Sequence, residues 1–262
     1  MTSVEQEAFL RRFHAAHPGA TSHALARTGC YARFAARIPL TARVLDLASG
    51  DGPLLAHLPP SAIGLDISLP DLRGAPAGAR VVQGRAQALP FTDGAFDVVA
   101  CHLAFMLFGE LDHVVAELRR VLVPGGRFLA LLGGGPTADG DDAFHRFLAL
   151  LAPHGRAAPR FGDPRARSEA GWRDLFSAEN GWGPIAFERW EVDASGTFDE
   201  VWAFLGASYQ LPAAHAPAIR AALAAQYAPA ARVPCTIVTW FAQAAHAPST
   251  RTRTLRETPS LI

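Results

Sequence analysis

Val44-Leu-Asp-Leu-Ala-Ser-Gly-Asp-Gly-Pro-Leu-Leu55 is the stretch on which the reading of this chain turns. It opens with a short apolar run, the pattern of a strand buried on both faces. That run carries one acid, Asp46, and empties into a loop of small residues, Ala48, Ser49, Gly50 and Gly52. Small side chains let a ligand come close to the backbone. Pro53 stands where the first residue of a helix is expected, because the missing N–H would be unpaired there anyway. Twenty residues after Asp46, a second apolar run, Ala62–Asp66, ends in another acid. In an open α/β sheet an acid at that point lies at the carboxyl edge, beside the ribose hydroxyls of a bound nucleoside.

Further strands are expected at Arg80–Gln83, Phe96–Cys101 and Arg127–Leu132. Between the last two, Leu111, Val114, Val115, Leu118, Val121 and Leu122 recur at helical spacing, and the pattern stops at Pro124-Gly125-Gly126. Strand and helix in alternation predict right-handed crossovers and a mainly parallel sheet with helices on both faces. Residues 4–38 read as one or two helices broken at Pro18-Gly19. Helices near 140–152 and 168–179, a strand at Ile185–Val192, a helical stretch from Thr197 to Tyr227 broken at Pro212 and Pro217, and a strand at Cys235–Ala242 follow. One domain over 1–246 is expected: a helical cap (1–40), a core (41–135) and lid or substrate segments (136–183 and 195–231). The tail 247–262 reads as disordered.

Composition narrows the function classes. Of 262 residues, 50% are hydrophobic and 18% charged, which is globular composition. Twenty-four basic residues, every one Arg, balance 24 acidic ones, so no field recruits nucleic acid or an anionic membrane. Cys30, Cys101 and Cys235 fit no metal or redox spacing, so no metal is expected, and an odd count suggests a reducing compartment. The N-terminal stretch lacks a basic region followed by an apolar one, so no signal peptide is expected and the location reads as cytoplasmic.

The order of motifs narrows it further. The opening pattern is Asp-x-Ala-x-Gly-x-Gly, not Gly-x-Gly-x-x-Gly, and its acid suits a cationic ligand group better than a pyrophosphate. Gln83-Gly-Arg-Ala-Gln-Ala-Leu-Pro-Phe-Thr-Asp-Gly-Ala-Phe-Asp-Val-Val99 and Leu118-Arg-Arg-Val-Leu-Val-Pro-Gly-Gly-Arg-Phe128 follow in order. Together these motifs resemble the class I S-adenosylmethionine-dependent methyltransferases, of the type with a Leu-Pro-Phe segment before the fourth strand. The resemblance implies a Rossmann-like, seven-stranded, mostly parallel sheet whose last strand is antiparallel and inserted next to the edge. It implies S-adenosyl-L-methionine as cofactor, with its aminoacid part against Asp46, Leu47, Ala48, Ser49 and Gly50. Asp66 would take the ribose hydroxyls and Ile67 one adenine face, with Arg85, Ala86 and Gln87 at the adenine edge. His102 would stand near the methionine end, and Tyr31 and Cys101 are further candidates for contact with the cofactor. Two departures stand out: Ala48 replaces a usual glycine, and Arg85 replaces a frequent Asp. A guanidinium has donors only, so adenine's amine needs another acceptor, and the Gln87 carbonyl is one.

Methyl transfer needs no obligatory catalytic motif, because the donor is already activated and positioning does most of the work. His102 is the one catalytic candidate, as a base, as a partner for the methionine carboxylate, or as a core histidine. His14, His17 and His23 lie on the cap and read as mostly solvated. Phe144, Phe147, Phe161, Trp172, Trp202, Phe204 and Tyr209 are at spacings that more often serve a core than a pocket, yet they fall where the family places its lid, which favours an aromatic or otherwise apolar small-molecule acceptor, with the enzyme a monomer or homodimer. Gly-Gly-Gly-Pro at 133–136 and Gly162-Asp-Pro-Arg165 resemble bacterial natural-product methyltransferases, some of which methylate carbon of indole-type rings. O- or N-methylation of another metabolite, a non-catalytic cofactor-binding module and a nicotinamide-dependent oxidoreductase are the alternatives.

Overall fold

The computed structural model describes residues 3–16, 19–154, 162–208 and 211–248. His17, Phe161, Tyr209 and most of the expected tail lie outside them.

The chain opens with three helices, α1 (Ser3–Ala16), α2 (Ala20–Leu25) and α3 (Cys30–Ala35). Strands β1 (Val44–Leu47) and β2 (Ile63–Asp66) follow, then the short α4 (Leu69–Leu72) and β3 (Arg80–Gln83). Next come β4 (Phe96–His102), α5 (Leu111–Val121), β5 (Leu122–Leu132), α6 (Ala143–Leu151) and α7 (Glu169–Leu175). The chain closes with β6 (Trp182–Asp193), α8 (Phe198–Leu205), α9 (Ala216–Ala224) and β7 (Thr236–His246).

The strands form one sheet in the order β3-β2-β1-β4-β5-β7-β6. The first five are parallel, and β7 runs antiparallel between β5 and β6. This is the Rossmann-like seven-stranded arrangement expected from the motifs. Side chains of the central strands alternate between two cores, one on each face. Val98 and Ala100 enter one core, Val99 and Cys101 the other, and Leu129 and Leu131 alternate likewise with Phe128 and Ala130. Helix α5 covers the second face with Leu111, Val114, Val115, Leu118 and Val121, all buried. Each such side chain contributes about 1.5–3 kcal/mol on burial.

Three local differences from the sequence reading have physical causes. No α-helix follows Pro53: the segment makes only a 3₁₀ turn at Leu55–His57, because Pro59-Pro60 cuts it off. Strand β5 starts at Leu122, so Phe96 pairs with Leu122 and Val98 with Arg127, and the intervening residues bulge around Gly125 (φ 81°). Pro217 does not break a helix but sits in the first turn of α9, where its missing N–H costs nothing.

Candidate active site

The carboxyl ends of β1, β2, β3 and β4 meet at one cavity, roofed by the cap. The loop after β1 is its floor. Ser49 N–H donates to the Leu65 carbonyl (3.0 Å) and Gly52 N–H to Ser49 O (2.9 Å), drawing the loop down against β2. Gly64 permits this, since a Cβ there would stand 2.7 Å from Ser49 Oγ. The turn needs left-handed backbone at Ala48 (φ 59°), Gly50 (φ 56°) and Gly52 (φ 77°). A Cβ at Gly50 would meet nothing within 4 Å, so this position opens on the cavity.

Two carboxylates lie at the floor. Asp46 is 1% exposed, and its Oδ2 has no hydrogen-bond partner among the described residues. Burial, reinforced by the charge of Asp66, pushes its carboxyl up to about 8. Asp66 is more fully employed: Oδ2 accepts from Gly50 N–H and Oδ1 from Ser68 N–H, both at 2.8 Å. Burial still raises its pKa, against those two bonds. Ser49 Oγ, on the same cavity, is buried and has no hydrogen-bond partner among the described residues either.

Ile67 lines the cavity beyond β2, and Arg85, Ala86 and Gln87 line it beyond β3. The Gln87 amide is fixed by donating from Nε2 to Gly109 O (3.0 Å). His102 closes β4, with its ring 4.4 Å from that of Tyr31 and 5.6 Å from that of Phe34. Burial pulls its pKa down to about 3, so it is neutral, and Nε2 has no partner among the described residues. It is therefore not the satisfied core histidine that was one reading. Leu103, next along, also lines the cavity in left-handed backbone (φ 59°).

Tyr31, Asp46, Leu47, Ala48, Ser49, Gly50, Asp66, Ile67, Arg85, Ala86, Gln87 and His102 thus meet at one cavity. Cys101 does not. Its side chain points to the opposite face of β4 from His102 and is fully buried in the second core, so it is removed from the expected ligand contacts. Those of the aromatics expected to roof the pocket that fall among the described residues do not line it either. Trp172 stacks in the core with Phe128 and Phe176, and Phe147 packs on Trp202 and Phe144 on Phe204. Gly134 lies so close to Val238 that a Cβ there would overlap its carbonyl. Arg165 is spent on Asp163, Asp112 and Asp174. The roof comes instead from α1, through Gln6, Glu7, Leu10, Arg11 and His14. Those residues share one helix face by their spacing, but nothing in the sequence says what that face covers.

Residues 45–130 match the methyltransferase domain family. These residues are a methyltransferase domain of the class I S-adenosylmethionine-dependent type. The chain is 40% identical over 101 residues to a demethylmenaquinone methyltransferase of Thermus thermophilus, covering 34% of this chain and 46% of that one. An uncharacterised methyltransferase of Bacillus subtilis, YcgJ, is 30% identical over 177 residues, 59% of this chain and 66% of its own. The crystal structure of YcgJ superposes with TM-score 0.54 at 21% identity, over 86% of this chain and 99% of that one. The chain spans about half the length of the first curated relatives it matches.

The residues present fit the family's cofactor. An unpartnered buried carboxylate calls for a cation, such as the ammonium of the aminoacid part, and the space over Gly50 leaves room for it. They do not fit a dinucleotide. The loop amides of Ser49, Gly50 and Gly52 already donate within the protein, and a three-residue 3₁₀ turn supplies no helix N-terminus to bind a pyrophosphate.

Proposed function

We propose that this chain is an enzyme that moves the methyl group of S-adenosylmethionine to a small acceptor, an aromatic or heteroaromatic ring with carbon as the methylated atom. Asp46 carries the reading: a buried carboxylate with a free oxygen, at the foot of a glycine turn that lacks a following helix. In this reading Asp46, Ala48 and Gly50 hold the aminoacid part, Asp66 the ribose, and Ile67 with Ala86 the two sides of the base. When bound, the cofactor supplies a methyl group already activated on a sulfonium. The protein's task is then to align the acceptor and to exclude water.

Leu103, Leu107 and Phe108 give the acceptor side apolar walls, and α1 closes it from solvent. His102, neutral and with a free ring nitrogen, is suited to hold an acceptor hydroxyl or N–H by a hydrogen bond and to take its proton when that proton must leave. Ring-carbon methylation draws support from the relatives. Besides the Thermus enzyme, a ubiquinone/menaquinone biosynthesis C-methyltransferase of Hahella chejuensis is 43% identical over 56 residues, 21% of this chain and 22% of its own. An indole-type ring belongs to the same acceptor class.

Melting in the presence of ligands tests the cofactor. S-adenosylhomocysteine at one hundred times its Kd stabilises a protein by about 2.7 kcal/mol, or about 5–10 °C at this size. Nicotinamide dinucleotides are expected to leave the melting temperature unchanged, and the reverse result would sink the reading. Single-turnover assay with labelled donor and quinone or indole acceptors then separates an enzyme from a binding module.

A further inference from the structure

Adenine presents an amine, a donor, where hypoxanthine presents a carbonyl, an acceptor. A pocket that selects adenine therefore needs an acceptor at that edge. Arg85, at the loop where the base is placed, has none. What it does is reach across the cavity to the cap, where Nη2 donates to Glu7 Oε1 of α1 at 2.5 Å. Both side chains line the cavity, together with Ala86 and Gln87. Glu7 is the more buried partner, 23% exposed against 46% for Arg85. Its second oxygen, Oε2, has no hydrogen bond among the described residues. Gln6 of the same helix makes a second polar tie to the body of the protein, its Oε1 accepting from Gly162 N–H at 3.0 Å.

We propose that Glu7, carried in by the cap and oriented by Arg85, is the acceptor for the adenine amine. The inference rests on the methyltransferase reading and deepens it: the base is read by an acid from a different element than the loop that cradles it. The guanidinium fixes one carboxylate oxygen and balances the charge, leaving the other oxygen for the amine. Gln87 offers a neutral acceptor at the same edge, but a carboxylate makes the stronger, charge-assisted bond. The ion pair then has two uses. It latches α1 over the cavity, and it makes closure favourable for an aminopurine and unfavourable for an oxopurine, whose carbonyl would face the carboxylate.

Titration calorimetry with S-adenosylhomocysteine and its hypoxanthine analogue separates these uses. Wild-type protein is expected to prefer the adenine ligand by about tenfold or more, the scale of one hydrogen bond to a charged group. Glu7→Gln presents an amide that can donate or accept, and should bring the preference close to unity. Glu7→Ala should do the same, whereas Gln87→Ala should keep most of the preference. Arg85→Met, which leaves Glu7 present but unfixed, should reduce it partway. Melting of each ligand-free variant checks folding, and the half-exposed position of the pair predicts shifts of a few degrees at most. Equal weakening of both ligands in Glu7→Ala would make Glu7 a latch only and overturn the proposal. Equal binding of both ligands by the wild type would overturn it too. A wild type that binds neither nucleoside would instead remove the methyltransferase reading beneath it.

Discussion

Two residues of the β1 loop adopt the same backbone and differ in what that conformation costs. Ala48 and Gly50 both sit near φ 60°. Left-handed backbone costs an L-residue with a Cβ roughly 1–2 kcal/mol, and glycine almost nothing. Ala48→Gly should therefore stabilise the fold, less the extra chain entropy that glycine loses. A net gain of about 0.5–1 kcal/mol is expected, seen as a melting temperature higher by about 1–4 °C. Affinity for S-adenosylhomocysteine should stay within about twofold, since no contact is removed. Gly50→Val should do the opposite on both counts. A β-branched residue at φ 56° carries the full strain, and its side chain projects into the cavity. The variant is expected to fold, to lose about 1–2 kcal/mol, and to give no calorimetric signal with the ligand. Normal binding by that variant would mean the loop is not the cradle. The same logic applies to Leu103, strained at the other side of the cavity, where such conformations often mark functional sites.

Helix α1 is the element on which closure depends, and it is weakly anchored. None of its described side chains is fully buried. It is tied down by polar contacts, Gln6 to Gly162, Glu7 to Arg85, and His14 to Asp71 at 3.6 Å. An element with little apolar burial opens at low cost. Hydrogen exchange should be fast over Ser3–Ala16 in the ligand-free protein and slow there about tenfold or more with S-adenosylhomocysteine, while the amides of β1 and β4 change little. Unaltered exchange over α1 would remove its role as a roof. This is also where the sequence was least legible. The strands could be read because each is an apolar run ending at a turn, and the floor of the site because Asp46, Gly50 and Asp66 stand at fixed distances from strand ends. The roof could not, because Gln6, Glu7 and Leu10 owe their place to docking at long range, which no local pattern records. The turn at Leu55–His57 shows the reverse limit. Pro53 is a true helix-start signal, overridden by Pro59-Pro60 a few residues on. Phe147 and Trp172 were ambiguous for a third reason, since aromatics at helical spacing serve a core and a pocket equally well.

Across the whole molecule, charge is spread thinly except at the site. Acids and bases balance at 24 each, and most of the ion pairs are surface pairs of Arg, each worth little in water. The sheet's carboxyl edge is different, because Asp46 and Asp66 are buried there and the charge of Asp66 adds to the cost of ionising Asp46. Folding must tolerate this, and the cost depends on pH. Asp46 has an ordinary value of 3.8 and about 8 in the folded, ligand-free protein. Between those values the folded state keeps a proton that the unfolded chain has released. Rising pH therefore drives that proton off and favours the unfolded state, so stability contributed by protonated Asp46 is complete below pH 4 and is lost as pH rises to about 8. His102 is neutral in the folded protein and takes up a proton near pH 6.5 only on unfolding; that contribution and the shift of Asp66 are common to both proteins compared and cancel to first order. The melting temperature of Asp46→Asn minus that of the wild type should thus climb between pH 4 and 8 and level off above. The ligand acts in the other direction. An ammonium placed against Asp46 favours the carboxylate, so binding of S-adenosylhomocysteine to the wild type below pH 8 should release close to one proton, and affinity should rise with pH up to that point. Calorimetry in two buffers of different ionisation enthalpy counts the proton directly, and Asp46→Asn should bind weakly with no release. A melting difference that stays flat with pH, together with binding that releases no proton, would show that Asp46 is already ionised in the empty site and is not the group that meets the cation.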